Sequence, residues 1–368
     1  MQTPKISTTL FFCVTFFTIF GQQRQDKFIL DASLTGFKDG TKFYFYDIDA
    51  TQNIDSAYLQ NEKLRFIGHV SEPAIYRLKP EFAKVSFVLW MENKNITVSG
   101  DKNNFSDLHV EGSPLNKIFQ SVQQNFSTLQ KLQDSLTAKA TNESDKLKRN
   151  EIVINIGDID QKIFKIRLRT IATFHPSLVT LRELYYLRND LTTDSLKILF
   201  NRFPTNLKKT KYGEVITQYI LTDDLKVGAH ATDIIGNDFL NKELKLSDYK
   251  NKVVLLDFWA SWCAPCRDSN KKLKKLFQKY NQNGFEIISF SIDTDLDDWK
   301  NASEKDSITW INISDLKGLY SKHAASYKIR AIPKSFLIDK NGTIMQIFTG
   351  FDEKYEASLE NKIQELMK

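Results

Sequence analysis

Cysteine is scarce in this chain. Three occur in 368 residues, and Cys13 sits inside an apolar N-terminal run, which leaves Cys263 and Cys266 for everything else. One closely spaced pair is not the framework of a disulfide-stapled scaffold, which needs several bridges. Histidine is scarce too. His69, His109, His175, His230 and His323 are the five present, and none stands at ligand spacing from Cys263. Zinc takes four ligands, so no metal site is expected. The most apolar stretch, residues 10–20, is short for a membrane span of about 20 residues. No long basic tract exists either. The net charge of +6 is spread along the sequence, which gives nucleic-acid binding little support and permits only weak attraction to anionic surfaces.

What is present begins with a targeting pattern. Lys5 supplies a short positive region, residues 10–20 an apolar core, and Gly21-Gln22-Gln23 a small residue with a polar exit. This is the layout of an export signal over residues 1–21, with an uncleaved anchor as the alternative. Cys13 lies within the apolar core and away from a cleavage point, so a lipoprotein is not expected.

The chain is organised around Val253-Val254-Leu255-Leu256-Asp257-Phe258-Trp259-Ala260-Ser261-Trp262-Cys263-Ala264-Pro265-Cys266. An apolar run of strand length is followed by an aromatic turn and Cys-x-x-Cys. A lysine-rich segment of helical pattern covers 271–280. A strand feeding a helix whose first turn carries two cysteines is the layout of a dithiol redox site. The nucleophile is a thiolate, and the free N–H groups and positive end of a helix stabilise it. Cys263, at the mouth of the helix, is therefore expected to attack, and Cys266, one turn on, to resolve the mixed disulfide. The alternative is a structural disulfide, which would close a tiny loop for little entropic gain.

Residues 22–112 read as a β-rich module. Short aromatic and alternating runs such as 42–46, 85–90 and 95–100 are punctuated by Gly36, Gly40 and Gly68. Ser113-Pro114 then opens a helix. Leu115, Ile118, Phe119, Val122, Phe126, Leu129, Leu132 and Leu136 recur at helical spacing, one face of a single long helix. The polar stretch 137–149 is expected to break or expose it. Further helical pattern over 163–174, 178–187, 195–203 and 213–221 makes 113–225 a helical region, either a spacer with its own core or a surface that pairs with a second copy, giving a homodimer. Strands and helices alternate from 226 to 368, with strands expected at 285–292 and 309–313 and helices at 296–305, 319–327 and 352–367. That alternation implies an α/β sheet with the dithiol at the carboxyl end of a strand.

The run Phe258-Trp259-Ala260-Ser261-Trp262-Cys263-Ala264-Pro265-Cys266 resembles the thioredoxin signature, and specifically the TlpA/ResA-like periplasmic thioredoxins. The likeness covers 226–368, and the β-rich module resembles those found ahead of TlpA-like domains in Gram-negative envelope proteins. The whole is then a multidomain protein: a β-rich module, a helical middle and a C-terminal α/β thioredoxin-like fold.

The resemblance implies further roles. Ala331-Ile332-Pro333 matches the thioredoxin cis-proline loop, which places Pro333 against the Cys263 sulfur and lets the Ile332 backbone pair with an extended substrate. Asp257 matches the buried acid that accepts the Cys266 proton through water. Trp262, with Ala264 and Pro265, would form the surface on which substrates dock. One departure stands out. The family pattern has a glutamate three residues after the second cysteine and a proline beside it, whereas this chain has Ser269 and Asn270. Arg267 and Asp268 read as surface residues.

The function expected is an exported thiol–disulfide oxidoreductase of the periplasm or cell envelope, needing no cofactor. Its partners would be disulfide-containing envelope proteins, with a membrane or thioredoxin-like reductant to regenerate it. A peroxiredoxin-like peroxidase is the competing enzyme class, but its Thr-x-x-Cys context is missing. The non-enzymatic alternative is an envelope scaffold whose redox domain is vestigial.

Overall fold

The computed structural model describes residues 26–368 except 50–51, 82–84, 223–224 and 351–352. The export signal expected over 1–21 lies outside them. Among the described residues, no helix is long and apolar enough to cross a membrane.

Eight strands form the first unit: β1 (Phe28–Thr35), β2 (Lys42–Asp47), β3 (Gln52–Tyr58), β4 (Lys63–Gly68), β5 (Ala74–Pro80), β6 (Phe87–Met91), β7 (Asn95–Asp101) and β8 (His109–Glu111). They make two four-stranded sheets, ordered β4-β1-β7-β8 and β3-β2-β5-β6. Only the β1–β7 pair is parallel. Every second residue of β1 is buried, as a strand with one face on a core requires. Leu30, Phe43, Phe45, Phe66, Leu78 and Leu89 fill the space between the sheets. The edge strand β3 is polar and exposed along almost its whole length, which disfavours further strand addition. The second sheet is also covered on its outer face, where Ile75 and Trp90 join the core of the next layer.

That layer is helical: α1 (Pro114–Gln124), α2 (Ser127–Asn142), α3 (Lys146–Thr173), α4 (Leu178–Leu187), α5 (Thr193–Asn201), α6 (Thr205–Lys208) and α7 (Lys211–Leu221). Ser113 caps α1, its hydroxyl accepting from the Asn116 N–H, with Pro114 at the first position. The single long helix expected from Ser113 is two helices. Phe126 leaves helical geometry (φ −136°, ψ 1°). Its ring is buried, with the Arg167 guanidinium 5.6 Å above it. Burying that ring decides the break, a tertiary preference that spacing does not carry. The polar stretch 137–149 holds the end of α2, a three-residue turn and the start of α3, whose cap Asp145 accepts from the N–H groups of Leu147 and Lys148.

The third unit contains β9 (Ile235–Asn237), β10 (Glu243–Lys245), β11 (Val253–Trp259), α8 (Ala264–Tyr280), β12 (Phe285–Ser291), α9 (Leu296–Asp306), β13 (Ile311–Ser314), α10 (Lys322–Ser326), β14 (Lys334–Ile338), β15 (Ile344–Thr349) and α11 (Glu353–Met367). Its seven-stranded sheet runs β10-β9-β13-β12-β11-β14-β15. β11 is parallel to β12 and antiparallel to β14, and all seven of its residues are buried. A strand sandwiched on both faces needs a continuous apolar run, and Val253 to Trp259 is one apart from Asp257. The helix expected over 319–327 is shorter: a 3₁₀ turn at Gly318–Tyr320, then α10, capped by Ser321.

The three units meet at one carboxylate. Asp49, in the turn after β2, accepts from the Tyr212 hydroxyl of α7 (3.1 Å) and from the Tyr320 hydroxyl of the third unit (2.6 Å). The Lys211 ammonium lies 2.5 Å away, and the Asp49 side chain is only 7% exposed. The Tyr185 hydroxyl of α4 also donates to the Leu319 carbonyl at 3.2 Å.

Candidate active site

β11 delivers the chain to the carboxyl edge of the sheet, where the backbone turns through Ala260-Ser261-Trp262 into α8. Cys263 is the N-cap of α8: it is extended (φ −87°, ψ 96°), and its Sγ accepts from the Cys266 N–H at 3.2 Å. Pro265 stands in the first turn, where a missing N–H costs nothing. Cys263 and Cys266 form a disulfide with Cα atoms 5.2 Å apart. Cys263 keeps 5% exposure and Cys266 none, so the second cysteine is the more deeply sealed of the two. Around Cys263, Ala264 and Pro265 are exposed, and Trp262 stands out at 64%. A large aromatic held in water beside a reactive group is a ready contact surface.

The Ile332-Pro333 peptide is cis. Pro333 is buried and Ile332 half-buried, the latter packed on the apolar cluster that also contains Cys263 and Cys266. The Pro333 carbonyl accepts from the Gly350 N–H at 2.9 Å. On the preceding residues, the Arg330 guanidinium donates to the Asn189 carbonyl between α4 and α5.

Asp257 is 1% exposed, on the face of β11 that Val253 and Leu255 turn toward α8 and α11. Cys266 lies on the inward face of α8. No described group donates to Asp257 Oδ2. Burial alone pushes this carboxyl up to about 7, because a charge there has lost its water.

Two carboxylates that composition and spacing did not single out hold the active-site turn. Asp293, just past β12, accepts from the Ser261 N–H (2.9 Å), the Ser261 hydroxyl (2.6 Å) and the Ser291 hydroxyl (2.6 Å). Its position at the carboxyl end of an apolar strand was the available signal. Asp306, at the end of α9, pairs with both Nε and Nη2 of Arg267 and accepts from the Asn270 amide at 2.8 Å. Arg267 is therefore a clamp between α8 and α9 and not a plain surface residue, whereas Asp268 is exposed and takes a bond from Lys271. Ser269, standing where the family pattern has glutamate, donates to the Cys266 carbonyl at 2.7 Å. The two departures thus brace the helix beneath the second cysteine.

The fold, the capping dithiol and the cis-proline loop define a thioredoxin-fold oxidoreductase. Comparison with known proteins agrees. The AhpC/TSA family matches residues 227–347, and the domain of unknown function DUF4369 matches residues 28–119. The thiol-disulfide oxidoreductase ResA of Geobacillus kaustophilus is 32% identical over 124 residues, 34% of this chain and 70% of the relative. ResA of Bacillus cereus is 31% identical over 144 residues, 39% of this chain and 80% of the relative. Among solved structures, the thioredoxin domain of a thiol-disulfide oxidoreductase from Bacteroides vulgatus is 30% identical with a TM-score of 0.36, covering 39% of this chain and all of that one. The chain belongs to the ResA/TlpA-type thiol-disulfide oxidoreductases.

Proposed function

We propose that the protein is exported and exchanges electrons with disulfides of other envelope proteins through Cys263 and Cys266. In the reducing direction, the Cys263 thiolate attacks one sulfur of a partner disulfide and expels the other as thiolate. Cys266 then gives up its proton and attacks the Cys263 sulfur of the mixed disulfide, so the partner's second sulfur leaves. Two electrons have passed to the partner, and Cys263 and Cys266 are joined. Asp257 takes the Cys266 proton through water, a carboxyl poised near neutrality being suited to that step. Trp262, Ala264 and Pro265 dock the partner beside the sulfur, while Ile332 and Pro333 line up its extended segment. A membrane-bound or thioredoxin-like reductant regenerates the dithiol.

The observation that carries this reading is the difference between the two sulfurs: one at a helix mouth with residual exposure, the other sealed behind it. Insulin-disulfide reduction by the full chain, beside Cys263→Ser, tests it. Turnover in the wild type that falls to background in the variant is expected. Equal rates would point to the scaffold alternative, and peroxide consumption without insulin reduction to the peroxidase.

A further inference from the structure

A cavity of about 700 Å³ opens between the outer face of the second β sheet and the helices, well inside the roughly 300–1,000 Å³ typical of small-molecule sites. Ile75, Val88 and Phe119 make its apolar walls. Arg77, Lys131 and Arg182 also line it, against a single carboxylate among the described residues, Asp107. Alternation on β5 explains Arg77. Ala74, Tyr76 and Leu78 face the β core, so Ile75 and Arg77 face the helices. The Arg77 guanidinium lies 5.8 Å from the Tyr46 ring centre, and its buried Nε meets no acceptor among the described residues.

Arg182 enters from the opposite wall on α4. Its side chain is 12% exposed and lies 4.0 Å from Glu183 Oε1, while Arg167 Nε is 3.0 Å from Glu183 Oε2. The Arg167 contact is off the line of its N–H and so is Coulombic only. Two guanidiniums therefore share one buried carboxylate. Arg182 Nε, too, has no acceptor among the described residues. A buried N–H left unbonded is unfavourable. Here two such groups border one cavity from opposite sides, with a surplus of positive charge.

We propose that this cavity binds a small organic acid, with a single anionic head between Arg77 and Arg182 and an apolar body against Ile75, Val88 and Phe119. The site is independent of the dithiol chemistry and of the role proposed for it. The probe is 8-anilinonaphthalene-1-sulfonate, an aromatic body with one anionic head, titrated by fluorescence into the full chain. Saturable one-to-one binding is expected, displaced by octanoate but not by neutral octanol. Arg77→Gln should weaken it about tenfold or more, the loss of a charge-assisted bond. Val88→Trp, which fills the cavity and keeps its charges, should abolish it. Lys131→Gln, at an exposed position that folding does not depend on, should weaken it about threefold. Absence of saturable binding, displacement by octanol as strong as by octanoate, or unchanged affinity in folded Arg77→Gln or in Val88→Trp would overturn the proposal. Should Arg77→Gln fail to fold, unchanged affinity in Lys131→Gln does the same.

Discussion

Two carboxylates of this molecule, held in different regions, are treated in opposite ways. At the end of β11, Asp257 is sealed beneath α8 with an oxygen that nothing described satisfies, and its carboxyl is pushed up to about 7. At the junction of the three units, Asp49 is almost as deeply buried but takes two hydroxyl donors and an ammonium. An acid without donors keeps its proton available for transfer near neutral pH. An acid surrounded by donors is committed to holding its neighbours in place. Of these two, the carboxylate with the unsatisfied oxygen is the one beneath α8, and the one at the junction has its donors.

The largest expected effect breaks the first half of that contrast. Asp257 holds its proton to about pH 7 in the folded protein and only to about 4 when unfolded. The folded state is the greater proton binder between those values, so this contribution is present below pH 4 and is lost as pH rises to 7. Asp257→Asn should therefore be more stable than wild type at pH 8 by on the order of 4 kcal/mol, and near equal at pH 4. Urea unfolding at the two pH values checks this, and a gap independent of pH would mean the carboxyl is not tuned by burial. Insulin reduction by the same variant should be slower.

Asp49→Ala tests the second half. It leaves the Lys211 ammonium and two tyrosine hydroxyls without their shared acceptor, at a cost of about 2–4 kcal/mol. The loss should show as earlier separation of the units in thermal unfolding, with insulin reduction intact below the transition. Reduction lost in parallel with stability would show that the joint also serves the chemistry.

Smaller effects sharpen the picture around the dithiol. In the reduced protein, Cys263 should alkylate with a midpoint below the ordinary thiol value near 8.5. A rate–pH titration with iodoacetamide reads this, and an ordinary midpoint would remove the helix terminus as the cause of reactivity. Arg267→Ala should cost about 1–2 kcal/mol, since Asp306 keeps Asn270 as a donor. Hydrogen exchange should then be faster in the turn at 260–263 than in β11.

The legible parts of the chain are those whose causes are local. The apolar run at 253–259 and the two cysteines declare a strand and a helix mouth within a few residues each, and the resemblance pointed to the cis peptide at Pro333. Short aromatic and alternating runs gave the β-rich module in the same way, though not its division into two sheets. What sequence spacing could not show was decided at a distance. Phe126 breaks a helix because its ring belongs in the core under Arg167. Asp293 and Asp306 matter because folding brings them to Ser261 and Arg267, 32 and 39 residues away in sequence. Asp49 is one acid among many until Tyr212 and Tyr320 arrive.

The bond from Arg330 to the Asn189 carbonyl joins residues 141 positions apart. The loop ahead of Pro333 therefore takes part of its stiffness from a turn between two helices that lie outside the redox sheet altogether. A redox half cut loose from those helices would keep its strands and its dithiol, yet the loop ahead of Pro333 would swing on a longer hinge. Precision at the sulfur is, in that respect, a property of the whole chain.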